Sequence, residues 1–239
     1  MNLDLTLLTS LNALVADKGA WFHILGSLGN NPLVRGLPVF ASLAMVLSAA
    51  KSPEAKSRMF LGFVGVFVAL MISVWCQTNF HLHLRPVFDR DVHIVDVLNW
   101  RALEPAFNAR IYSFPSDTAA CYFAISTIIF LQDKRLGLVC FAWNVITIGI
   151  CRVAMGSHYP SDIGGGLVLG FVCVYALVNM PALRRQVVAV LEKYPWSEPA
   201  YNIFILIFAA EAYSLFPGFQ DIYVFLVKLI NGNVLWLGV

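Results

Sequence analysis

The chain has 239 residues, 59% of them apolar and only 13% charged, with a formal net charge of +2 and a mean hydropathy of +0.74. An ordinary soluble domain is about 45–50% apolar and about 25% charged. The composition therefore excludes a disordered chain, a fibrous repeat, a disulfide scaffold and a soluble globular domain. It predicts an all-α polytopic membrane helical bundle of roughly six or seven spans. Nothing in the charge balance calls for a nucleic-acid partner.

Residues 1–33 lack a basic leader, and Asp4, Asp17 and Lys18 interrupt their apolar pattern. They are expected to form an interfacial or partly inserted amphipathic segment rather than a signal peptide. Residues 34–50 make a short first span, and 59–80 the clearest one. Residues 116–132 and 136–151 are separated only by Asp133-Lys134-Arg135, which predicts a tight helical hairpin. Residues 163–183 form a further span. Residues 183–239 then provide a cytoplasmic linker and one or two more apolar helices, at 200–217 with Glu211 near the end and at 221–239 with Lys228.

Lys51, Lys56 and Arg58, then Lys134 and Arg135, then Arg184, Arg185 and Lys193 fall in alternate connections. Positive-inside bias assigns these connections to the cytoplasm and 81–115 and 152–162 to the outer side. The five cysteines have irregular spacing and no CxxC pair, as small apolar fillers would.

Three polar clusters are thereby brought to one membrane face. The first is Arg85-Pro86. The second is Ser113-Phe114-Pro115-Ser116-Asp117-Thr118, opening a helix. The third runs from Cys151-Arg152 through Ser157-His158-Tyr159-Pro160-Ser161-Asp162. Arginine is planar, permanently charged and suited to bidentate phosphate binding, so Arg85 and Arg152 can grip one phosphoryl group. Pro115-Ser116 places Ser116 and free backbone N–H groups at a helix start, where an anion is favoured. An aspartate four residues after His158 can fix its tautomer and leave the other ring nitrogen free to attack. The set describes a phosphoryl-transfer site that works by positioning and charge stabilisation. His81 and His83, followed by Asp89, Asp91 and His93, include metal-ligand residue types. His-x-His without a helical partner is a weak signal, so these are read as interfacial side chains. No metal or other cofactor is expected. Arg90, Arg101 and Arg110 could bind a head group or further phosphates, but each alone is more often a solvated or salt-bridged loop residue.

The pattern Arg-x5-His-x3-Asp, preceded by Arg-Pro and Pro-Ser-x-x, resembles the type 2 phosphatidic acid phosphatase (PAP2) superfamily of membrane lipid phosphatases and undecaprenyl pyrophosphate phosphatases. The resemblance covers about residues 34–182. It implies a helical bundle with its site at the outer membrane interface, and no metal requirement. It also implies a phosphohistidine on His158 assisted by Asp162, with Arg85, Ser116 and Arg152 on the phosphate. In a bacterial inner membrane the site would face the periplasm or exterior, and the partner is a membrane lipid substrate.

Three positions depart from the family pattern. Thr78 stands where a lysine is usual, Cys151 where a serine is usual, and Thr118 where the second motif normally ends in the histidine that protonates the leaving oxygen. Asp117 replaces the preceding glycine, as in some bacterial members, and beside two arginines it is expected to stay ionised. General-acid help contributes roughly 10²–10⁴-fold. A phosphate leaving a diphosphate needs little of it, whereas a lipid alkoxide needs it greatly. The missing acid therefore favours a polyprenyl diphosphate substrate, with phosphatidic or phosphatidylglycerol phosphates second, and hydrolysis or transfer to a second hydroxyl as the reaction. The alternative is a non-catalytic lipid-phosphate-binding protein in an envelope-polymer pathway.

Overall fold

The structure is a computed structural model that describes residues 3–103, 111–194 and 197–213. The described residues form nine helices: α1 (Leu3–Ala13), α2 (Ala20–Asn30), α3 (Pro32–Ala49), α4 (Pro53–Asn79), α5 (Asp117–Gln132), α6 (Lys134–Ala154), α7 (Pro160–Val178), α8 (Pro181–Lys193) and α9 (Ser197–Tyr213). A short 3-10 turn lies at Trp100–Leu103.

Local chemistry explains the boundaries. Asn31, Ser52, Ser116 and Asp133 cap α3, α4, α5 and α6, each accepting backbone N–H groups from the first turn. Proline follows the cap at Pro32, Pro53 and Pro160, where its missing N–H costs nothing. The hairpin expected at 133–135 is present, and Asp133 makes it abrupt by accepting from the N–H groups of Arg135 and Leu136 at 2.8 and 3.0 Å.

Four helices, α3, α4, α6 and α7, are long and apolar enough to cross a membrane. Helix α5 has 16 residues, and every residue from Thr118 to Ile129 is buried. At 1.5 Å per residue it is about 24 Å long, less than the roughly 30 Å hydrocarbon core. Its central place, against α3, α4, α6 and α7, means that neighbouring helices rather than lipid surround it. The span expected at 163–183 divides in two. Helix α7 ends at Val178, and Pro181 opens α8, an amphipathic helix with no buried residue. The expected helix at 200–217 appears as α9. The one expected at 221–239 lies outside the described residues.

Helices α5 and α7 approach closely because small residues face each other. A Cβ on Gly166 would lie 2.6 Å from the Ser116 carbonyl, and one on Gly170 would lie 2.5 Å from the Ala120 carbonyl. Gly166-x3-Gly170 against Ala120-x3-Ala124 is the small-residue spacing that lets membrane helices touch backbone to backbone. Polar groups tie other pairs. Asn144 of α6 donates to the Tyr122 carbonyl and Ser126 Oγ of α5 at 3.0 and 2.8 Å. Ser73 and Gln77 of α4 donate to the Pro115 carbonyl at 2.8 and 2.7 Å. Residues Val145–Ile150 within α6 are π-helical.

Part of the 1–33 segment packs against the bundle. Leu8, Asn12 and Val15 are buried. The Asn12 side chain donates to the carbonyls of Val95 and Ala154 at 3.1 and 3.0 Å and accepts from Val95 N–H. Asp4 accepts from the backbone N–H and hydroxyl of Ser161. Asn12, together with Asp4, one of the residues that break the apolar pattern, docks this segment on the ends of α6 and α7.

Candidate active site

The antiparallel hairpins α4–α5 and α6–α7 put the end of α4, the start of α5, the end of α6 and the start of α7 at one end of the bundle. Lys51, Lys134, Arg135 and Arg184 lie at the other, where Arg184 pairs with Glu54 at 2.9 Å. The segment after α4 is extended, not helical. Leu84 bridges Tyr112, Arg85 N–H donates to the Ile111 carbonyl at 2.8 Å, and Ser113 N–H donates to the His83 carbonyl at 2.8 Å. Side chains alternate along such a segment, so His83 and Arg85 project to the same side.

His158 is the centre of the cluster and is fully buried, as is Asp162. Arg85 Nη1 lies 3.2 Å from His158 Nε2, Arg152 Nη2 3.3 Å and Ser116 Oγ 3.4 Å. Three donors from three elements thus surround one ring nitrogen. On the other side of the ring, Nδ1 faces Asp162 Oδ2 at 3.5 Å. That is too long for a well-formed hydrogen bond, and Nδ1 has no closer partner among the described residues. Catalytic contacts are often this long before substrate binds. Arg85 Nη1 also donates to the Ser157 carbonyl at 3.2 Å, which anchors the guanidinium beside the histidine.

Burial pushes the His158 imidazole down to about 4, and Arg85 and Arg152 push the same way against the opposing Asp162. At neutral pH the ring is uncharged and Nε2 carries a lone pair. Burial and the neighbouring Asp89 push the Tyr159 phenol up, so it stays protonated and donates to Asp89 at 3.2 Å.

The positions that depart from the family pattern are placed as follows. The Asp117 carboxylate lies in the field of Arg85, Arg152 and His158 and accepts from Thr118 N–H at 2.7 Å. Thr118 is buried, with its hydroxyl turned to Asp117 at 3.3 Å. The Thr78 hydroxyl donates back to the Val74 and Trp75 carbonyls of its own helix. Cys151 is buried beneath Gly29.

Two residues join the cluster that the sequence did not single out in this role. His83 Nδ1 lies 3.0 Å from Asp162 Oδ1. Arg35, in α3, is buried over the Tyr122 ring at 5.1 Å, donates to the Gly29 carbonyl, and its charge reaches Arg152. An arginine within a span is a signal in itself, whereas the run Leu82-His83-Leu84-Arg85 is too short to mark His83. The His81 ring packs against Tyr112 at a tilt of 51°. Among the described residues no three His, Cys, Asp or Glu side chains converge as metal ligands would. Arg110 and the side chain of Glu211 lie outside what is described.

Known proteins share part of this sequence. The chain is 35% identical over 86 residues to the bacitracin transport permease protein BcrC of Bacillus licheniformis, covering 34% of this chain and 41% of that one. It is 30% identical over 76 residues to the undecaprenyl-diphosphatase BcrC of Bacillus subtilis strain 168, covering 32% and 39%. The chain thus spans about two fifths of the length of these two relatives. Similarity to YbjG of Escherichia coli strain K12 is longer, at 26% identity over 196 residues, 81% of this chain and 90% of that protein. No solved structure matches. The family model described as the PAP2 superfamily matches residues 62–186, just over half of the chain and including all three polar clusters. This integral membrane protein, with four candidate spans, belongs to the PAP2 superfamily.

Proposed function

We propose that the protein is a lipid diphosphate phosphatase of undecaprenyl-diphosphatase type, working through a phosphohistidine at the outer face of a bacterial inner membrane. The observation that carries this is the convergence of Arg85, Arg152 and Ser116 on the Nε2 atom of a buried, uncharged His158.

In this mechanism Nε2 attacks the terminal phosphorus in line. The Nε2–P bond forms as the bridging P–O bond breaks, and the electron pair leaves on the oxygen of the lipid monophosphate. Asp162 orients the ring and stabilises the imidazolium that develops. Arg85, Arg152 and Ser116 flank the attacking nitrogen, where the equatorial oxygens of the transferring group gather charge. Water then attacks the phosphohistidine, releasing inorganic phosphate and restoring His158. A hydroxyl acceptor in place of water would give a phosphotransferase by the same steps. Positive charge at the far end, on Lys51, Lys134, Arg135 and Arg184, supports the assignment of that end to the cytoplasm. The division into a flanking 1–33 segment, a 34–182 catalytic domain and a 183–239 extension is part of the same proposal, as are the expected six or seven spans (roughly that number for this length).

The substrate preference follows from Thr118. Its hydroxyl faces Asp117, and a threonine is too weak an acid to protonate an alkoxide. Phosphate release by the purified protein, with chelator present, is expected to be roughly 10²–10⁴-fold faster from undecaprenyl diphosphate than from phosphatidic acid. Equal rates on the two lipids would show that another group supplies the proton. Binding of both without release from either would favour the non-catalytic alternative.

The same site predicts an unusual pH profile. Only neutral His158 can attack, and its titration in the folded protein is lowered from 6.5 to about 4. The neutral form is therefore retained as pH falls from 7 to 5 and lost as pH falls through about 4. kcat/KM, which reports the free enzyme, should show no His158 limb near 6.5. A limb there, from a nucleophile titrating normally, would contradict the buried geometry.

A further inference from the structure

We propose that His83 is a positioning residue for the phosphoryl-transfer reaction, donating its Nδ1–H to Asp162 and so fixing the carboxylate that orients His158. The proposal rests on the reading of His158 as nucleophile.

The two oxygens of Asp162 have separate duties. Oδ1 receives His83 Nδ1 at 3.0 Å. Oδ2 accepts the Tyr159 N–H at 2.8 Å and faces His158 Nδ1. One buried carboxylate therefore lies between two imidazoles, one enclosed and one 39% exposed. Tyr159 N–H alone leaves the carboxylate free to swing about its Cβ–Cγ bond. A second donor on the other oxygen sets its plane, and with it the direction of the Asp162–His158 contact.

His83 is itself held. Its carbonyl accepts from Ser113 N–H at 2.8 Å and Ser113 Oγ at 3.2 Å. Its ring is met edge-on by Phe114 and Tyr159, with centroids 5.3 and 5.6 Å away. The backbone bonds on either side of Leu84 join His83 to Arg85, so the residues that position the nucleophile and grip the phosphate share one extended segment. On its open side His83 borders a 370 Å³ cavity also lined by Asp4, Asp89, Asp91 and Tyr159.

The chemical consequence is graded. A donor on Asp162 draws charge away from the face turned to His158. Removing it concentrates that charge, favours the imidazolium and loosens the carboxylate. The other groups acting on His158 are Arg85, Arg152, Ser116 and, from the start of α5, Asp117. All of them are unchanged by a substitution at residue 83.

The test compares His83→Leu, which has no donor, with His83→Asn, whose amide nitrogen occupies the place of Nδ1. His158→Ala is run in parallel. The readout is phosphate release from undecaprenyl diphosphate in detergent between pH 4 and 9. His83→Leu is expected to lower kcat by about 10–100-fold, the usual cost of losing an outer-shell partner, with KM little changed. Its kcat/KM acid limb should move to higher pH. His83→Asn should recover most of the rate and keep the limb in place. Wild-type kcat with an unmoved limb in His83→Leu would overturn the proposal. So would an equal loss in both variants, which would assign the effect to ring packing. Turnover retained in His158→Ala would instead overturn the nucleophile reading. Turnover lost there, with His83→Leu indifferent, would remove the role of His83 alone.

Discussion

Replacing His158 with alanine is expected to reduce phosphate release from undecaprenyl diphosphate by roughly 10⁴–10⁶-fold, the range for losing a nucleophile or its base. The size follows from geometry. His158 is the one imidazole at which Arg85, Arg152 and Ser116 converge, so no neighbour can attack a phosphorus held by those donors. The three donors remain in the variant, and lipid diphosphate should still bind. His158→Gln fills the buried space and guards against a packing artefact, with the same loss expected. Wild-type protein quenched in mid-turnover with terminally labelled substrate should carry an acid-labile, base-stable phosphate, and neither variant should. Activity within tenfold of wild type in both variants would remove His158 from the mechanism.

Gly166→Ala should damage both stability and activity, because its contacts lie beside the cluster. The new methyl would meet the Ser116 carbonyl at 2.6 Å, Ala119 Cβ at 2.7 Å and Ala120 N at 2.9 Å. Two of the three are backbone atoms and cannot turn aside. Overpacking of this kind costs about 1–3 kcal/mol, which should lower the thermal midpoint in detergent. The same displacement acts on the start of α5, where Ser116 Oγ lies 3.4 Å from His158 Nε2. Misplacement by an ångström can cost up to about 100-fold in rate. Gly164→Ala is the control, since its methyl would meet nothing within 4 Å. That substitution should be neutral or stabilise by about 0.5–1 kcal/mol through helix propensity. Equal midpoints for the two variants would show that the α5–α7 contact is not tight.

Much of this could be read from the residues. Long apolar runs announced the membrane helices, and Asp133 the hairpin. The spacing of Arg152, His158 and Asp162 named residues that the fold brings within hydrogen-bonding range or close to it. What was hidden has physical reasons. His83 lies in a pairing only a few residues long, too short to stand out from a loop. Leu82-His83-Leu84-Arg85 shows the period of two only once the Leu84–Tyr112 bridge is known. Asn12 did not stand out in the sequence, yet its amide satisfies the carbonyls of Val95 and Ala154. Such a match depends on distant backbone and has no local signature. Helix α5 looked like any other apolar run, whereas its burial on all sides follows from the glycines of α7 and the packing of α3, α4 and α6 around it.

The π-helical stretch of α6 has a consequence for where Arg152 points. An α-helix turns about 100° per residue, so residues eight apart, such as Asn144 and Arg152, would be rotated by about 80° from each other. A π-turn accommodates one extra residue within the same rotation. Across Val145–Ile150 that insertion brings the offset to roughly 20°. A single helix can then hold α5 through Asn144 and offer Arg152 to His158 from nearly the same face. The surplus residue works as a phase shifter between a structural half and a reactive half of one helix. Were the same residues wound as a regular α-helix with none removed, the guanidinium would swing by about 100°, away from the phosphate site, whereas deleting one residue from 145–150 would leave its direction unchanged.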